Sequence, residues 1–366
     1  MHIVIDARIR QASTGRPVDR LLEYLQEIDK KNKYTILIKT KDEWRPKAKN
    51  FSVKLCKYRI FSFNPFQQLS FAWQLYKLKP DLVHFTLTGQ QPIGYFGKQT
   101  TFTHDLTMLS FARPGKYPSW LHSIRMIGYR FLFWQSHRKA TKILVPTEYV
   151  RDVLYKRYLF VRRKLVVTLE ASEPPINEKA EPLEGVDKPF ILHVGSPFPH
   201  KNIERLIQAF EIIHIKMPSL TLVLAGKKEH YFKKLEKSLV GNPLRDSIVM
   251  PGFVSSGELK WLYENTECYI LPSLSEGFGL PGLEAMVHGC PLVSSNSTCL
   301  PEVYGDAAEY FNPYDIEEMS KSIMRVINGP KTRSNLIKEG NKRVKLYSWK
   351  TMAEKHLEAF TELNTD

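Results

Sequence analysis

Two glutamates flank a glycine-rich loop and could together bind a ligand that is part sugar and part phosphate. Glu276 precedes the loop of Gly277, Phe278 and Gly279, and Glu284 follows it, with seven residues between the two glutamates. Glycines let the phosphates of a ligand approach the backbone closely, and carboxylates accept hydrogen bonds from sugar and ribose hydroxyls. The alternative is an acid and nucleophile pair, as in glycosidases. The glycine loop between the two carboxylates favours the binding role.

The residues after this loop predict the start of a helix. Proline at the first helical position gives up no hydrogen bond, so the helix is expected to begin at Pro281, after Leu280. Glu284 would then lie in the first helical turn, near backbone amides that attract anions. Its structural alternative is helix-dipole stabilisation, worth about 0.3–1 kcal/mol at an exposed site.

A second loop carries a basic side chain suited to a diphosphate. Gly195 ends a predicted strand, and Ser196, His200 and Lys201 precede a predicted helix. The ammonium group of Lys201 is a suitable partner for phosphate oxygens, although a loop lysine can also be simply solvated. In a doubly wound sheet this loop is expected to lie opposite the loop that holds Glu276.

The first half of the chain offers two further candidates. Gly15 lies in the loop between a predicted strand at 2–6 and a predicted helix at 17–28, and His104 ends a predicted strand at 100–105. A histidine at such a position can hydrogen-bond a sugar hydroxyl or orient an acceptor. A turn histidine that caps its own loop is the alternative.

Strands and helices alternate along the whole chain, which indicates parallel sheets covered by helices on both faces. A proline-rich stretch interrupts the alternation and predicts a linker at 176–188. The expected organisation is two Rossmann-like α/β domains, at 1–175 and 189–345, with a ligand cleft between them. A helix at 346–366 is expected to pack back toward the first domain.

Composition narrows the class of protein. Hydrophobic residues make up 43% and charged residues 25% of the 366 residues, as in an ordinary globular protein. Four cysteines without metal-ligand spacing predict a reduced, cytoplasmic protein, and the first residues predict a strand rather than a signal peptide. The sequence predicts no metal requirement, since it has no Asp-x-Asp clamp and no His-Glu-x-x-His helix.

The net charge of +15 is concentrated in the first half, because residues 1–166 carry +20 and the remainder −5. Aromatic and basic residues are mixed at 58–79 and 113–142. This mixture fits helices that lie on an anionic membrane. The alternative is a pair of core helices with a solvated basic outer face.

Together these motifs resemble the retaining glycosyltransferases of family 4, which have the GT-B fold, and in particular their bacterial mannosyltransferase-like branch. The sequence from Glu276 to Glu284 looks like the E-x7-E motif of that family, and Gly195 to Lys201 is similar to its phosphate loop. Many relatives have an arginine in that loop, where this chain has Ser196 and His200. The segment 300–308 and the first-domain motifs at 6–8, 15–16 and 103–106 also resemble the family.

The resemblance implies a nucleotide-diphosphate sugar donor, such as GDP-mannose or a UDP-hexose, and a saccharide or lipid-linked acceptor, with no cofactor, no metal and no nucleic acid. It implies that His104 faces the reacting sugar and that Glu276 binds that sugar. The remaining donor contacts would come from Lys201 and Ser196 at the diphosphate, from Glu284 at the ribose, and from Gly15, His200, Phe253, Val254, Gly277, Phe278, Gly279 and Leu280.

The function so expected is hexosyl transfer in cell-surface polysaccharide synthesis at the cytoplasmic face of the membrane. Two alternatives stay open from the sequence. One is a phosphorylase or epimerase of similar fold, and the other is a non-catalytic protein that binds a nucleotide-sugar or a nucleic acid.

Overall fold

The computed structural model describes residues 1–12, 14–111, 119–187 and 189–364. Within them, the described residues of 1–110, 114–170 and 348–366 pack into one unit, and those of 111–113 and 171–347 into a second. We call these unit 1 and unit 2. The start of the second predicted domain at 189 falls within unit 2, and its end at 345 lies two residues before that unit ends at Tyr347.

Unit 1 is built on a parallel sheet because its strands are short apolar runs joined by helices, as buried parallel strands require. The described strands have the order β3-β2-β1-β4-β5-β6-β7. Their bounds are β1 His2–Asp6, β2 Lys33–Lys39, β3 Phe51–Cys56, β4 Leu82–Phe85, β5 Gln99–Phe102, β6 Lys142–Val145 and β7 Leu165–Val167.

The helices of unit 1 cover this sheet. Their bounds are α1 Arg16–Ile28, α2 Pro65–Lys77, α3 Thr107–Ser110, α4 Ser119–Lys139, α5 Glu148–Arg157 and, from the end of the chain, α13 Trp349–Thr361. Helix α13 packs against α1, and its Phe360 ring lies 4.9 Å from that of His84 on β4. The last helix of the chain therefore completes the core of unit 1.

Unit 2 repeats the architecture with a second parallel sheet, in the order β10-β9-β8-β11-β12-β13. Its strands are β8 Phe190–Val194, β9 Thr221–Ala225, β10 Ile248–Gly252, β11 Tyr269–Leu271, β12 Leu292–Ser295 and β13 Ala308–Phe311. Its helices are α6 Ile203–Lys216, α7 His230–Ser238, α8 Ser256–Asn265, α9 Leu280–Val287, α10 Leu300–Tyr304, α11 Ile316–Asn328 and α12 Pro330–Arg343. The predicted fold class, two Rossmann-like α/β domains with parallel sheets, is confirmed.

In each unit the strand order reverses beside the first strand. The reversal lies between β1 and β4 in unit 1 and between β8 and β11 in unit 2. Loops that leave such a point at the carboxyl ends of the strands diverge, and the crevice between them is where doubly wound proteins bind ligands. These two points are therefore the first places to look for a site.

In unit 1 the crevice at the reversal is filled by the chain's own side chains. Arg8, which follows β1, is buried and forms a bidentate ion pair with Asp6, with Nε–Oδ1 and Nη2–Oδ2 distances of 2.7 and 2.5 Å. Its Nη1 also donates to the carbonyls of Tyr58 and Arg59, at 3.0 and 2.9 Å. Thr86, after β4, donates to the carbonyl of Asp6 at 2.6 Å. This crevice is closed by internal bonds.

Candidate active site

In unit 2 the loops at the reversal bring together two residues singled out from the sequence. The loop after β8 leads to Lys201, and the loop after β11 leads to Glu276. Their side chains form an ion pair, with Lys201 Nζ 2.6 Å from Glu276 Oε1, and are only 18% and 12% exposed. An anchored charge pair at the ligand-binding edge of a doubly wound sheet is the central feature of the candidate site.

The Glu276 carboxylate is held in its ionised form. Burial by itself would raise its pKa, but the charge and hydrogen bond of Lys201 and a hydrogen bond from Ser273 outweigh burial and hold the pKa below its ordinary value. The Ser273 hydroxyl donates to Oε1 at 2.6 Å. A lowered pKa does not suit a general acid, which must carry a proton near neutral pH. The environment of Glu276 therefore suits hydrogen-bond acceptance rather than proton donation.

The backbone around Glu276 is also fixed. The amide of Glu276 donates to the hydroxyl of Thr298 at 3.1 Å. The amide of Leu274 donates to the carbonyl of His200 at 2.7 Å, which ties the loop after β11 to the loop after β8. The buried ring of His200 stacks on Phe198, with centroids 5.8 Å apart. Lys201 and Glu276 thus belong to one connected structure.

Asn202, which follows Lys201 and had no predicted role, adds a second connection. It adopts a left-handed conformation with φ of 61° directly before α6. Its buried side-chain amide donates to the carbonyls of Pro272 and Pro313, at 3.1 and 2.8 Å. These bonds fix the point at which the chain turns from Lys201 into α6.

The glycine loop is shaped by a buried tyrosine. Gly279 has a φ of +92°, which L side chains rarely adopt, and its carbonyl accepts a 2.5 Å hydrogen bond from Tyr304. A Cβ at Gly279 or Gly282 would lie 2.4 Å from that tyrosine oxygen. Phe278 is buried and packs edge-on against Tyr347 at 5.4 Å. The hydroxyl of Tyr304 therefore fixes the shape of this loop, and Tyr304 was not selected as a site residue from the sequence.

The predicted position of Glu284 on its helix was wrong by one residue. Helix α9 begins at Leu280, with Gly279 as its N-cap, and the first turn contains no acidic residue. The positive φ of Gly279 reverses the chain early, so that Leu280 is already helical and Pro281 is the second helical residue. Glu284 is half-buried and comes directly after the first turn of α9, which weakens the helix-dipole explanation for it.

The other residues predicted to contact the donor differ in their solvent exposure and in the unit to which they belong. Phe253 and Val254 follow β10, at the same edge of the sheet, and the Phe253 ring is 77% exposed. Ser196 is half-buried in the loop after β8. Gly15 is the N-cap of α1 in unit 1, and a Cβ there would lie 3.0 Å from Ala12 O and other backbone atoms. A side chain at Gly15 would therefore crowd the backbone of its own loop.

His104 lies in unit 1, two residues after β5, and both of its ring nitrogens have partners. Nε2 lies 3.1 Å from the carbonyl of Thr86, which can only accept, and Nδ1 lies 3.3 Å from Oε1 of Glu170. Glu170 is buried and was not recognised from the sequence, although it follows β7 as His104 follows β5. A sugar hydroxyl at His104 would therefore have to replace one of these bonds.

Comparisons with solved structures establish the class of fold. The chain superimposes on the sucrose-phosphate synthase from Thermosynechococcus elongatus with a TM-score of 0.79 at 17% identity, covering 100% of this chain and 99% of that one. For WaaG, a glycosyltransferase involved in lipopolysaccharide biosynthesis, the TM-score is 0.72 at 14% identity, with 97% and 98% covered. For Anabaena Alr3699/HepE in complex with UDP-glucose it is 0.73 at 13%, with 99% and 100% covered. The chain has the GT-B fold of glycosyltransferases.

Sequence comparison places the candidate site within a known domain family. Residues 176–343 match the family "Glycosyl transferases group 1", so this part of the chain is a domain of that family. The O-antigen chain mannosyltransferase RfbU of Salmonella typhimurium is 28% identical over 240 residues, which cover 65% of this chain and 64% of that protein. O-antigen chain mannosyltransferase B of Escherichia coli is 29% identical over 235 residues, with 62% of each covered. The alignments thus span less than two thirds of these relatives.

Proposed function

We propose that this chain is a retaining, metal-independent glycosyltransferase of family 4. It transfers a hexose of the mannose or glucose type from a nucleotide-diphosphate sugar to a saccharide or lipid-linked saccharide in cell-surface polysaccharide synthesis. The observation that carries this proposal is the ion pair of Lys201 and Glu276 at the strand-order reversal of the group 1 domain. The mannosyltransferase relatives support the sugar class.

In this proposal donor binding separates Lys201 from Glu276, and each side chain takes a new partner from the donor. The diphosphate takes the Lys201 ammonium, and the Glu276 carboxylate, now without its cation, accepts hydrogen bonds from the hexose hydroxyls. Both groups are already fixed in position by the contacts of His200, Ser273 and Thr298. Pre-organised groups lose little conformational freedom on binding, which favours affinity.

The rest of the donor is assigned to the neighbouring residues of unit 2. The backbone at Gly277, Phe278 and Gly279 and the start of α9 at Leu280 lie next to Glu276 and suit the phosphates or the sugar. Glu284 binds the ribose hydroxyls. The exposed ring of Phe253, with Val254 beside it, offers an apolar contact for the base.

Before the donor binds, Lys201 and Ser273 hold the pKa of Glu276 below its ordinary value, so Glu276 meets the donor as an ionised carboxylate that accepts hydrogen bonds. In the proposed front-face reaction the leaving diphosphate itself assists the acceptor hydroxyl, and Lys201 stabilises the charge that develops on it. Lysine thereby supplies the positive charge that a metal ion supplies in other transferases. Among the described residues, no cluster of three His, Cys, Asp or Glu side chains could hold a metal.

Donor binding is tested by thermal shift with a panel of nucleotide-sugars, because a ligand that binds only the folded form raises the unfolding temperature. We expect GDP-mannose or a UDP-hexose to stabilise the wild type. Lys201→Ala and Glu284→Gln should lose the shift, and Lys216→Ala, on the exposed side of α6, should keep it. If both site variants keep the full shift, the site assignment is wrong.

The reaction type needs a separate assay. Product from an accepted donor should keep the anomeric configuration when followed by NMR, and activity should survive EDTA. An inverted product or loss of activity in EDTA would contradict the proposed mechanism. Phosphate-dependent turnover without an acceptor would instead indicate a phosphorylase.

We further propose that unit 1 binds the cytoplasmic face of an anionic membrane. No helix among the described residues is both long and apolar enough to cross a bilayer. Helices α2 and α4 nevertheless carry exposed apolar side chains at helical spacing, which form one stripe on each helix. These are Phe66, Leu69, Trp73 and Tyr76 on α2, and Trp120, Ile124, Ile127, Phe131 and Trp134 on α4.

A loop of the same unit is bonded to both helices. The loop between β4 and β5 exposes Ile93 and Phe96. Gln68 of α2 accepts from the amide of Ile93 at 2.9 Å, and Lys139 of α4 donates to the carbonyl of Ile93. Exposed apolar side chains on a unit rich in Lys and Arg are typical of proteins that bind anionic membranes. Of the predicted segment 113–142, residues 113–118 lie outside the described residues.

Co-sedimentation with anionic liposomes at low salt tests this contact. Ile127→Ser, in the α4 stripe, should weaken sedimentation, whereas Ile215→Ser, at a still more exposed isoleucine of unit 2, should not. Failure of the wild type to sediment, or an equal loss in both variants, would refute membrane binding by this surface.

A further inference from the structure

Unit 1 contains a cavity that is separate from the candidate active site of unit 2. It has a volume of about 410 Å³, within the usual range of small-ligand sites. It lies between the segment 59–67, which leads into α2, and Arg125 of α4. The same two helices carry the exposed apolar stripes, so the cavity lies at the margin of the proposed membrane surface.

The walls of the cavity are held by aromatic packing. The rings of Phe61 and Phe63 contact the Tyr129 ring edge-on, with centroids 5.6 and 5.4 Å away. Phe63 also lies so close to Gly128 that a Cβ there would be 2.5 Å from the ring. Phe61 and Phe63 line the cavity. The segment is therefore fixed against α4, and the cavity is part of the folded unit.

The charged residues that line the cavity are both positive, which favours an anionic ligand. Two guanidinium groups, of Arg59 and Arg125, line the cavity, and the described lining residues include no carboxylate. Arg125 is oriented by Tyr129, whose hydroxyl accepts from Nη2 at 2.9 Å and whose ring lies 5.7 Å from the guanidinium carbon. The Arg59 side chain has no recorded partner within the described residues. Arginine is suited to phosphate because its planar fork matches the phosphate oxygens.

The polar groups on the wall suit hydroxyls next to that anion. The Oε1 atom of Gln67 is buried and has no hydrogen-bond partner among the described residues. Asn64 uses its Oδ1 to cap α2, through the amides of Phe66 and Gln67. An unsatisfied buried acceptor is costly, but because this atom is buried a ligand hydroxyl could bond it only after the Gln67 side chain turned toward the cavity. The aromatic walls offer an apolar face for a sugar ring.

We infer that this cavity binds the phosphate or diphosphate group of the lipid-linked acceptor. Arg59 and Arg125 hold the phosphate oxygens, and the lipid extends onto the apolar stripes of α2 and α4. The identity of the ligand as the acceptor rests on the proposed function. The presence of a phosphate site in this cavity does not.

The test compares vesicles that differ only in their anionic lipid. Binding is measured to neutral phosphatidylcholine vesicles that contain either phosphatidylglycerol or a polyprenyl diphosphate, matched in surface charge. The wild type should prefer the diphosphate vesicles. Arg59→Gln and Arg125→Gln should each weaken that binding about tenfold, the loss expected for one charge-assisted contact. Arg130→Gln removes the same charge from an exposed position of α4 outside the cavity and should keep the preference.

Two results would overturn the inference. One is equal wild-type affinity for the two vesicle types, which would show attraction to anionic headgroups in general. The other is an equal effect of Arg125→Gln and Arg130→Gln. The nucleotide-sugar thermal shift of each variant serves as the check on folding and on the donor site. If no nucleotide-sugar shifts the wild type while the vesicle preference is present, the proposed function fails and the phosphate site stands.

Discussion

The ion pair of Lys201 and Glu276 makes a quantitative prediction for Lys201→Met. The substitution keeps most of the side-chain volume but leaves the Glu276 carboxylate with only the Ser273 hydroxyl as its side-chain partner. Removing one partner of a buried pair costs about 3–5 kcal/mol. Because these side chains are 18% and 12% exposed, we expect the lower end, a loss of about 3 kcal/mol in the free energy of unfolding at pH 7.5.

The pH dependence separates this effect from simple loss of packing. In the wild type the pKa of Glu276 is lowered, so its contribution to stability is complete above the ordinary pKa of a glutamate and lost only as the pH falls through the folded value. The contribution of Glu276 to the stability of the wild type is therefore the same at pH 7.5 and pH 5. Without Lys201 the burial of Glu276 raises the pKa instead, and protonation at pH 5 relieves the penalty. The destabilisation at pH 5 should be less than half of that at pH 7.5.

Urea denaturation of the wild type and the variant at both pH values measures this difference. Lys201→Met combined with Glu276→Gln should be more stable at pH 7.5 than Lys201→Met alone, because the unpaired charge is gone. Lys216→Met, at an exposed position, should change stability by less than about 0.5 kcal/mol. An equal destabilisation at pH 5 and pH 7.5, or a double variant as unstable as the single one, would refute the argument.

Three further predictions follow from buried contacts. Gly282→Ala should cost about 1–3 kcal/mol, because its Cβ would lie 2.4 Å from the Tyr304 hydroxyl oxygen, and it should raise the donor KM; an unchanged unfolding temperature would contradict this. Asp6→Asn should cost about 3–5 kcal/mol in urea denaturation, since it leaves the buried Arg8 charge uncompensated, and a loss below about 1 kcal/mol would show that the pair is not needed. Burial lowers the pKa of His356 to about 4, so unfolding takes up a proton as the pH falls below about 6.5 and stability is lost. From pH 7.5 to pH 5 the free energy of unfolding should fall by about 2 kcal/mol more in the wild type than in His356→Phe. Equal falls in the two proteins would contradict this.

The strands in the middle of each sheet were predictable from the sequence alone. A buried parallel strand is a continuous apolar run, as in β1 and β8, and such a run is visible without any knowledge of its neighbours. Strands β3 and β13 lie at sheet edges. Several side chains of each are exposed or half-buried, so their sequences lack the apolar run that marks a central strand.

The residues of the candidate site and the placement of its two loops opposite each other were predictable from the sequence. Lys201 was recognisable from its place after a predicted strand, and Glu276 from its spacing to Glu284 across the glycine loop. Their direct pairing, and with it the ionised state of Glu276, depends on the adjacency of β8 and β11, which are far apart in the chain. Tyr304 and Glu170 act on the site residues through tertiary contacts, and such contacts leave no mark on the local sequence.

The aromatic and basic segments show most clearly what the sequence determined and what it left open. The spacing of Trp120, Ile127 and Trp134 determines that α4 has an apolar stripe along one side. A stripe of the same composition and period could pack into a core or face outward, because periodicity records which residues share a side and not what that side meets. Only the tertiary structure decided that the stripe is exposed, since other residues of α4, such as Leu132 and Phe133, occupy the core of unit 1.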